Sequence, residues 1–201
     1  MTLDEELRRS AEWLSFVNSV VSEFQTTTTL RRRVALGFLH LGLEHYSAIL
    51  TLFKTNHPGS ALALVRPQFE AFIRGTWYWH RASEEQIRAF ISDGKLPPKI
   101  GVLLDDLDNF HGYAPSNLKD VKKNAWEIMN DYTHGGAFQI TSRNSLENIE
   151  CSYPEKQRAG AMQTSTIISL LQSLVLAEVV NDVDASQKLI ATHKQIFDVS
   201  P

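Results

Sequence analysis

Apolar residues recur along most of the chain at steps of three and four positions, the spacing of one face of an α-helix. The β-branched residues are scattered and do not alternate with polar ones, so no segment has the pattern of a strand. The spacing predicts a first helix over about 3–24 and a strongly apolar second helix over about 31–54. We therefore expect an all-α fold.

Capping and turn residues divide the rest of the chain. Ser60 is a plausible N-cap after the turn "TNHPGS", and Ser83 with Gln86 opens a short helix. Ser116 or Asn117 caps a helix that runs to about Tyr132, and a loop of about twenty residues follows it. The remaining predicted helices cover about 60–82, "PKIGVLLDDLDNF", about 155–180 and about 185–197.

The number and length of these segments predict a compact bundle of about five or six main helices. A chain of 201 residues fits one domain with one core, so we assign 1–201 to a single helical domain. Its core is expected over about 30–180, with a short terminal helix after it.

Charge and cysteine content narrow the classes of function. The net charge is −3, so no global basic field favours nucleic acid, and the one dense basic run is "RRR" at 31–33. One cysteine, Cys151, forms neither an intramolecular disulfide nor a zinc cluster. The N-terminus lacks the apolar core of a signal peptide, and we therefore expect a cytoplasmic protein.

The stretch 34–53 is about long enough to span a bilayer. It contains Glu44 between His40 and His45, and a carboxylate at that depth is costly. We therefore expect this stretch to form a buried helix of a bundle, and we expect no membrane partner.

Polar residues inside the second and third helices suggest a site. Projection of the second helix places Glu44 on a stripe of small and polar residues that lets another helix approach. In an antiparallel hairpin about "NHPGS", Glu44 would lie level with Glu70 and Arg74, and Arg66 would lie nearby. Pro67 removes one helical hydrogen bond and frees the Ala63 carbonyl. The cluster is either an ion-pair network that sets helix register or a ligand pocket.

Metal binding is not expected in this cluster. Ferritin-like di-iron sites use Glu-x-x-His pairs, which the sequence lacks, and guanidinium groups compete with cations. We predict no metal and no cofactor.

The segment "EIMNDYTHGG" supplies a second set of polar residues. Asn130 and His134 are four positions apart and share a helix face opposite Met129 and Tyr132. His134, at the predicted end of a helix, either caps the helix carbonyls or acts as an acid or base near neutral pH. Tyr132 completes the set of predicted ligand-binding residues, with Glu44, Arg66, Glu70, Arg74 and His134.

The same segment resembles the HEPN (higher-eukaryote and prokaryote nucleotide-binding) superfamily, in which an Arg-Asn-x-x-x-His motif is frequent. "MNDYTH" matches it at Asn130 and His134 and has Met129 in place of Arg. Over about 30–140 the chain looks like an uncharacterised bacterial group related to that superfamily, through "LVRPQFEAFIRGTWYW" and "NDYTHGG". The resemblance implies a helical fold, a dimer and metal-independent RNA cleavage by active members. It nominates Arg66, Glu70 and His134.

Three functions stay open at this stage. The first is a metal-independent ribonuclease of toxin or defence type, with His134, Asn130 and Arg66 or Arg74 as catalytic residues. The second is a non-catalytic relative that binds RNA, a nucleotide or a small anion. The third is a helical interaction module with a cognate protein partner, in which the polar cluster is structural. A homodimer is expected from the resemblance and from the apolar helix over about 155–180.

Overall fold

The computed structural model describes residues 2–27, 29–109, 126–127, 129–144 and 148–197. The helices are α1 (Leu3–Val21), α2 (Leu30–Lys54), α3 (Pro58–His80), α4 (Glu84–Asp93), α5 (Ile100–Asp108), α6 (described at residues 126–127 and 129–134), α7 (Ala137–Thr141), α8 (Glu155–Val180) and α9 (Val183–Phe197).

The all-α prediction is confirmed. Within the described ranges the only β-type pairing is an isolated antiparallel bridge between Asn144 and Ile149. These ranges hold nine helices, more than the five or six main helices predicted, because short helices such as α7 occupy the connections. The predicted cap at Ser116 or Asn117 lies outside the described residues.

Local sequence explains where two helices begin. The side chains and backbones of Ser83 and Gln86 form a reciprocal capping box at the start of α4, as predicted. α3 begins at Pro58, two residues before the predicted cap Ser60, and the side chain of its N-cap residue, His57, makes no capping hydrogen bond to the helix. Proline suits the first helical position because its missing N–H group would have no partner there.

The helix α8 is the centre of the bundle and contacts α1, α2, α3 and α9. It has no single apolar face, because it is packed on several sides. A seam of small polar residues runs along its buried surface. Its buried polar residues are Ser165, Thr166, Ser169, Gln172 and Ser173.

Hydrogen bonds across this seam align the neighbouring helices with α8. The indole N–H of Trp13 on α1 donates to Ser169 Oγ at 2.8 Å. Gln68 on α3 donates to the Ser165 carbonyl at 2.9 Å and accepts from the Ser165 hydroxyl at 2.6 Å. Since a buried polar group without a partner is costly, these pairs favour one register of the helices over others.

The helix α8 is also long and apolar enough to cross a membrane, by length and composition. Of its most apolar stretch, 56% is buried inside the protein. A central helix of a bundle meets the same criterion because it is surrounded by other helices.

Glu6 on α1 is a buried carboxylate beside this core. Burial raises its pKa above the usual value of 4.5, and a hydrogen bond from Gln163 and the charge of Arg9 offset only part of that effect. One carboxylate oxygen, Oε1, has no hydrogen-bond partner among the described residues. The ionised form of Glu6 therefore destabilises the folded state.

We expect Glu6→Gln to raise the free energy of unfolding by about 1 kcal/mol at pH 7, because an amide of similar shape removes the buried charge. The gain should disappear as the pH falls to 4.5 and below, where Glu6 is protonated in the folded state. Urea unfolding at pH 7 and pH 4 measures both effects. A variant less stable than wild type at pH 7 would contradict this account.

Candidate functional site

The exposed side of α3 presents two arginines that share one carboxylate. Arg66 Nε donates to Glu70 Oε1 at 2.7 Å, and Arg74 Nη2 donates to Glu70 Oε2 at 2.6 Å. The spacing of four residues places all three side chains on one helix face. Glu70 is only 13% exposed, so the two ion pairs are better shielded from water than ordinary surface pairs. Both guanidinium groups are consequently held in place.

Arg66 also connects α3 to α6. Its Nη1 lies 2.6 Å from His134 Nε2, and its guanidinium carbon lies 4.9 Å from the centre of the Trp126 ring, a cation–π distance. A guanidinium group can only donate, so the imidazole Nε2 is the acceptor in this contact. His134 is then neutral, with its proton on Nδ1.

Pro67 explains why α6 lies at this point of α3. Proline has no N–H group, so the carbonyl of Ala63 lacks its usual helical donor four residues on. The Thr133 hydroxyl lies 3.2 Å from that carbonyl and 2.8 Å from the Met129 carbonyl of its own helix, and it shares its single proton between the two. The sequence predicts that Ala63 is freed, and the structure places a hydroxyl beside it. Thr133 precedes His134 directly and so holds it beside Arg66.

The chain turns sharply after His134. Gly135 has a φ of +67°, in the left-handed region that glycine tolerates best. Asp131 on α6 then accepts hydrogen bonds from the backbone N–H groups of Phe138 and Gln139, at 3.2 and 3.0 Å. These bonds hold the start of α7 against α6. Asp131 therefore has a structural role in the segment that positions His134.

The two arginines and His134 open onto a cavity of about 280 Å³ between α2, α3 and α6. Charged and polar side chains cover one part of its wall, and apolar side chains cover the other. The lining residues are Phe38, Leu41, His45, Arg66, Pro67, Glu70, Ala71, Arg74, Thr133 and His134.

His45 is a site residue that the sequence analysis missed. It is half-buried and makes no hydrogen bond to the described residues. Burial lowers the pKa of His45 below its usual value, and the charge of Glu44 opposes part of that shift. The sequence does contain an indication of this role. His45 follows Phe38 and Leu41 at steps of three and four, which places a polar residue on an otherwise apolar helix face.

The predicted position of Glu44 inside the helix interface is wrong. Glu44, Gly37 and His40 are exposed, so the small and polar stripe of α2 faces solvent. Larger apolar residues of α2, such as Leu39 and Tyr46, fill the interface instead. Their burial is favourable, whereas burial of the Glu44 carboxylate would require desolvation of a charge.

Tyr132 and Asn130 also lie outside the cavity wall. Tyr132 is buried against α8, where its hydroxyl accepts from the side-chain amide of Gln157, so it does not line this cavity with the other predicted residues. Met129 is buried on the same side of α6, as predicted. Asn130 is half-buried, and its amide oxygen has no hydrogen-bond partner among the described residues. The structure thus brings together Arg66, Glu70, Arg74 and His134 of the predicted set.

The donors of this cavity suit an anion better than a cation. In the parts of the chain that the structure describes, no three His, Cys, Asp or Glu side chains are grouped as a metal ion requires. Two guanidinium groups beside one carboxylate give the wall a positive charge, although the whole chain carries −3. Guanidinium groups match carboxylate and phosphate oxygens in geometry.

We expect Thr133→Val to lower the free energy of unfolding by about 1–2 kcal/mol, because it removes the hydroxyl that contacts the carbonyls of Ala63 and Met129. Thr133→Ser is the matched control: it keeps the hydroxyl and should change the stability by less than about 0.5 kcal/mol. Urea unfolding of the three proteins measures the difference. Equal stability of the valine variant and wild type would show that this hydrogen bond does not hold α6.

Comparison with known proteins places the chain in a family. No curated protein and no solved structure matches it. A family model described as a family of unknown function (DUF6988) matches residues 39–201, a range that includes every described lining residue of the cavity except Phe38. Because the match covers well over half of the chain, the protein belongs to the DUF6988 family.

Proposed function

We propose that the protein binds a phosphate-bearing ligand in the cavity between α2, α3 and α6. The observation that supports this most directly is the contact of Arg66 Nη1 with His134 Nε2, at 2.6 Å, on the cavity wall. It brings a permanent cation and an imidazole, which can accept or donate a proton, to one point. Arg74 adds a second cation to the same wall.

Unused donors on the two arginines favour an external partner. Arg66 uses Nε and Nη1, and Arg74 uses Nη2, in hydrogen bonds of the described residues. Arg66 Nη2 and two nitrogens of Arg74 have no partner among those residues. Glu70 holds both groups in place before any ligand arrives, which lowers the entropy cost of binding. Phosphate oxygens are suitable acceptors for these N–H groups.

His45 couples anion binding to proton uptake. It lies on the cavity wall with the cations Arg66 and Arg74 and the carboxylate of Glu70, and Glu44 is beside it on α2. Burial lowers the pKa of His45, whereas an anion in the cavity would favour its protonated form. Affinity should therefore rise as the pH falls through the titration of His45. His134 faces the same cavity and accepts from Arg66.

The proposal agrees with the expected relation to the HEPN superfamily. Met129 stands where the motif has arginine, and it is buried in the core. Arg66 on α3 provides a guanidinium next to His134 instead. We propose on this basis a relative of that superfamily whose anion-binding arginine comes from a different helix. A homodimer, a cognate protein partner and a cytoplasmic location stay predictions.

Metal-independent RNA cleavage is the second candidate, and the presence of two imidazoles on one cavity favours it. One neutral imidazole, of His45 or His134, would take the proton of a ribose 2′-hydroxyl as its oxygen attacks phosphorus. The other, protonated, would donate a proton to the departing 5′-oxygen. Arg66 and Arg74 would stabilise the charge on the phosphoryl oxygens. The products are a cyclic phosphate and a free 5′-hydroxyl.

For the first candidate, we expect calorimetric titration with inorganic phosphate, pyrophosphate and nucleoside monophosphates to show saturable binding of at least one of them. Arg66→Gln should weaken that binding about tenfold or more, the effect of losing a charge-assisted hydrogen bond. Saturating ligand should also raise the pKa of His45, followed by proton NMR of its ring.

Arg8→Gln is the matched control for charge, since the Arg8 side chain is 68% exposed on α1 and does not line the cavity. It should bind as wild type does. If Arg66→Gln lowers only the stability and leaves binding unchanged, the Arg–Glu cluster is structural. Absence of any saturable binding by wild type would reject the proposed function.

For the second candidate, we expect cleavage of single-stranded RNA by the purified protein in EDTA. His134→Ala and His45→Ala should each reduce the rate about a hundredfold or more, as loss of a general acid or base does. His40→Ala, an exposed histidine on α2, should leave the rate unchanged. No cleavage by wild type removes this candidate and leaves anion binding as the function to test.

A further inference from the structure

An apolar groove of about 340 Å³ lies between α2 and α4. Aliphatic and aromatic side chains form most of its wall. The wall includes Arg33, Val34, Gly37, Phe38 and Leu41 of α2 and Phe90 and Ile91 of α4. Leu41 is 39% exposed and Ile91 is 56% exposed, so the groove presents apolar surface to solvent.

The groove and the Arg66–His134 cavity are neighbouring parts of one surface. Phe38 and Leu41 belong to both walls. On α2 the residues Phe38, Leu41 and His45 follow one another at steps of three and four, so they lie on one helix face. A ligand that extends from the cavity along this face meets apolar side chains next.

We infer that the ligand is a single-chain amphiphile: a phosphate group on Arg66 and Arg74, with an aliphatic chain in the groove between α2 and α4. This inference rests on the proposed anion-binding function and names its ligand class. The charge of the cavity fits the head group, and the continuity of the two walls fits a chain attached to it. The cavity lies just below, and the groove at the lower end of, the usual volume range of ligand pockets, and together they fall well within it.

The side chains of the groove favour an aliphatic chain over a nucleobase. The Phe38 ring is already stacked on Tyr78, with centroids 5.5 Å apart, and packs against Phe90 at 5.4 Å. Among the described residues of the lining, Arg33 is the one charged side chain, and none carries a side-chain amide or hydroxyl that could recognise the edge of a base. Apolar contact is therefore the main interaction that the groove offers.

Gly37 allows the groove to be filled without damage to the fold. A Cβ atom built at Gly37 meets no atom within 4 Å, and Gly37 lies inside α2, where leucine is a better helix former. Gly37→Leu should therefore fold and place its side chain in the groove. Gly37→Ala is the matched control, because it makes the same backbone change and leaves most of the space open.

The test is calorimetric titration with inorganic phosphate, methyl phosphate, hexyl phosphate and octyl phosphate, each below its aggregation concentration. We expect wild-type affinity to rise with chain length, by up to about fourfold for each methylene group that is fully buried. Gly37→Leu should weaken octyl phosphate binding about tenfold and leave phosphate binding unchanged. Gly37→Ala should stay within about threefold of wild type for both.

The outcomes separate this inference from the proposed function. Equal affinity for methyl and octyl phosphate would overturn the inference and leave anion binding intact. Failure of every phosphate compound to bind would reject both. Octyl phosphate binding that survives Arg66→Gln unchanged would also overturn it, since the head group would not be in the cavity. So would tighter binding to vesicles with phosphatidic acid than to octyl phosphate, which would indicate a membrane surface instead of a free chain.

Discussion

The carbonyl of Ala63 is the constraint on which the candidate site depends. Pro67 removes its usual helical donor, and a backbone carbonyl without a hydrogen bond is costly when shielded from water. The Thr133 hydroxyl, which shares its proton with the Met129 carbonyl, lies at that position and joins the last turn of α6 to α3. Since Arg66 precedes Pro67 and His134 follows Thr133, one hydrogen bond brings the arginine and the histidine together. The residues beside the helix defect are thus the ones that face the cavity.

Glu70 makes this arrangement rigid and limits its charge. One carboxylate accepts from both Arg66 and Arg74, so neither guanidinium needs to be ordered when a ligand binds. The same carboxylate reduces the repulsion between two cations on one face of α3. The wall still keeps a net positive charge in a protein whose overall charge is −3. Local arrangement, and not composition, therefore determines which ligands the cavity attracts.

Much of this could be predicted from the sequence, and the failures have definite causes. The bounds of α2 and α8 follow from apolar spacing, and the Arg66–Glu70–Arg74 face follows from spacing by four. Glu44 and His45 are adjacent in α2, so their side chains point about 100° apart around the helix axis. Which of the two faces the cavity depends on how α2 is rotated, and the tertiary contacts of its larger apolar residues set that rotation. The five-residue helix α7 forms where a loop is predicted. Its start is held by Asp131, and so short a segment has too few residues to show a helical period in the sequence.

Two polar clusters of this fold differ in a way that bears on function. In the seam along α8, Trp13, Gln68 and the serines of α8 bond to one another, and the result is a fixed helix register. In the cavity, Glu70 holds both arginines in place, and the described residues leave nitrogens of Arg66 and Arg74 and the ring of His45 without protein partners. Both arginine side chains are partly exposed, so these nitrogens are open to water or to a ligand. The polar residues of the seam are buried and face other helices. Donors that are held in position and directed to a cavity are available to a ligand, and the apolar groove beside them extends that site along α2.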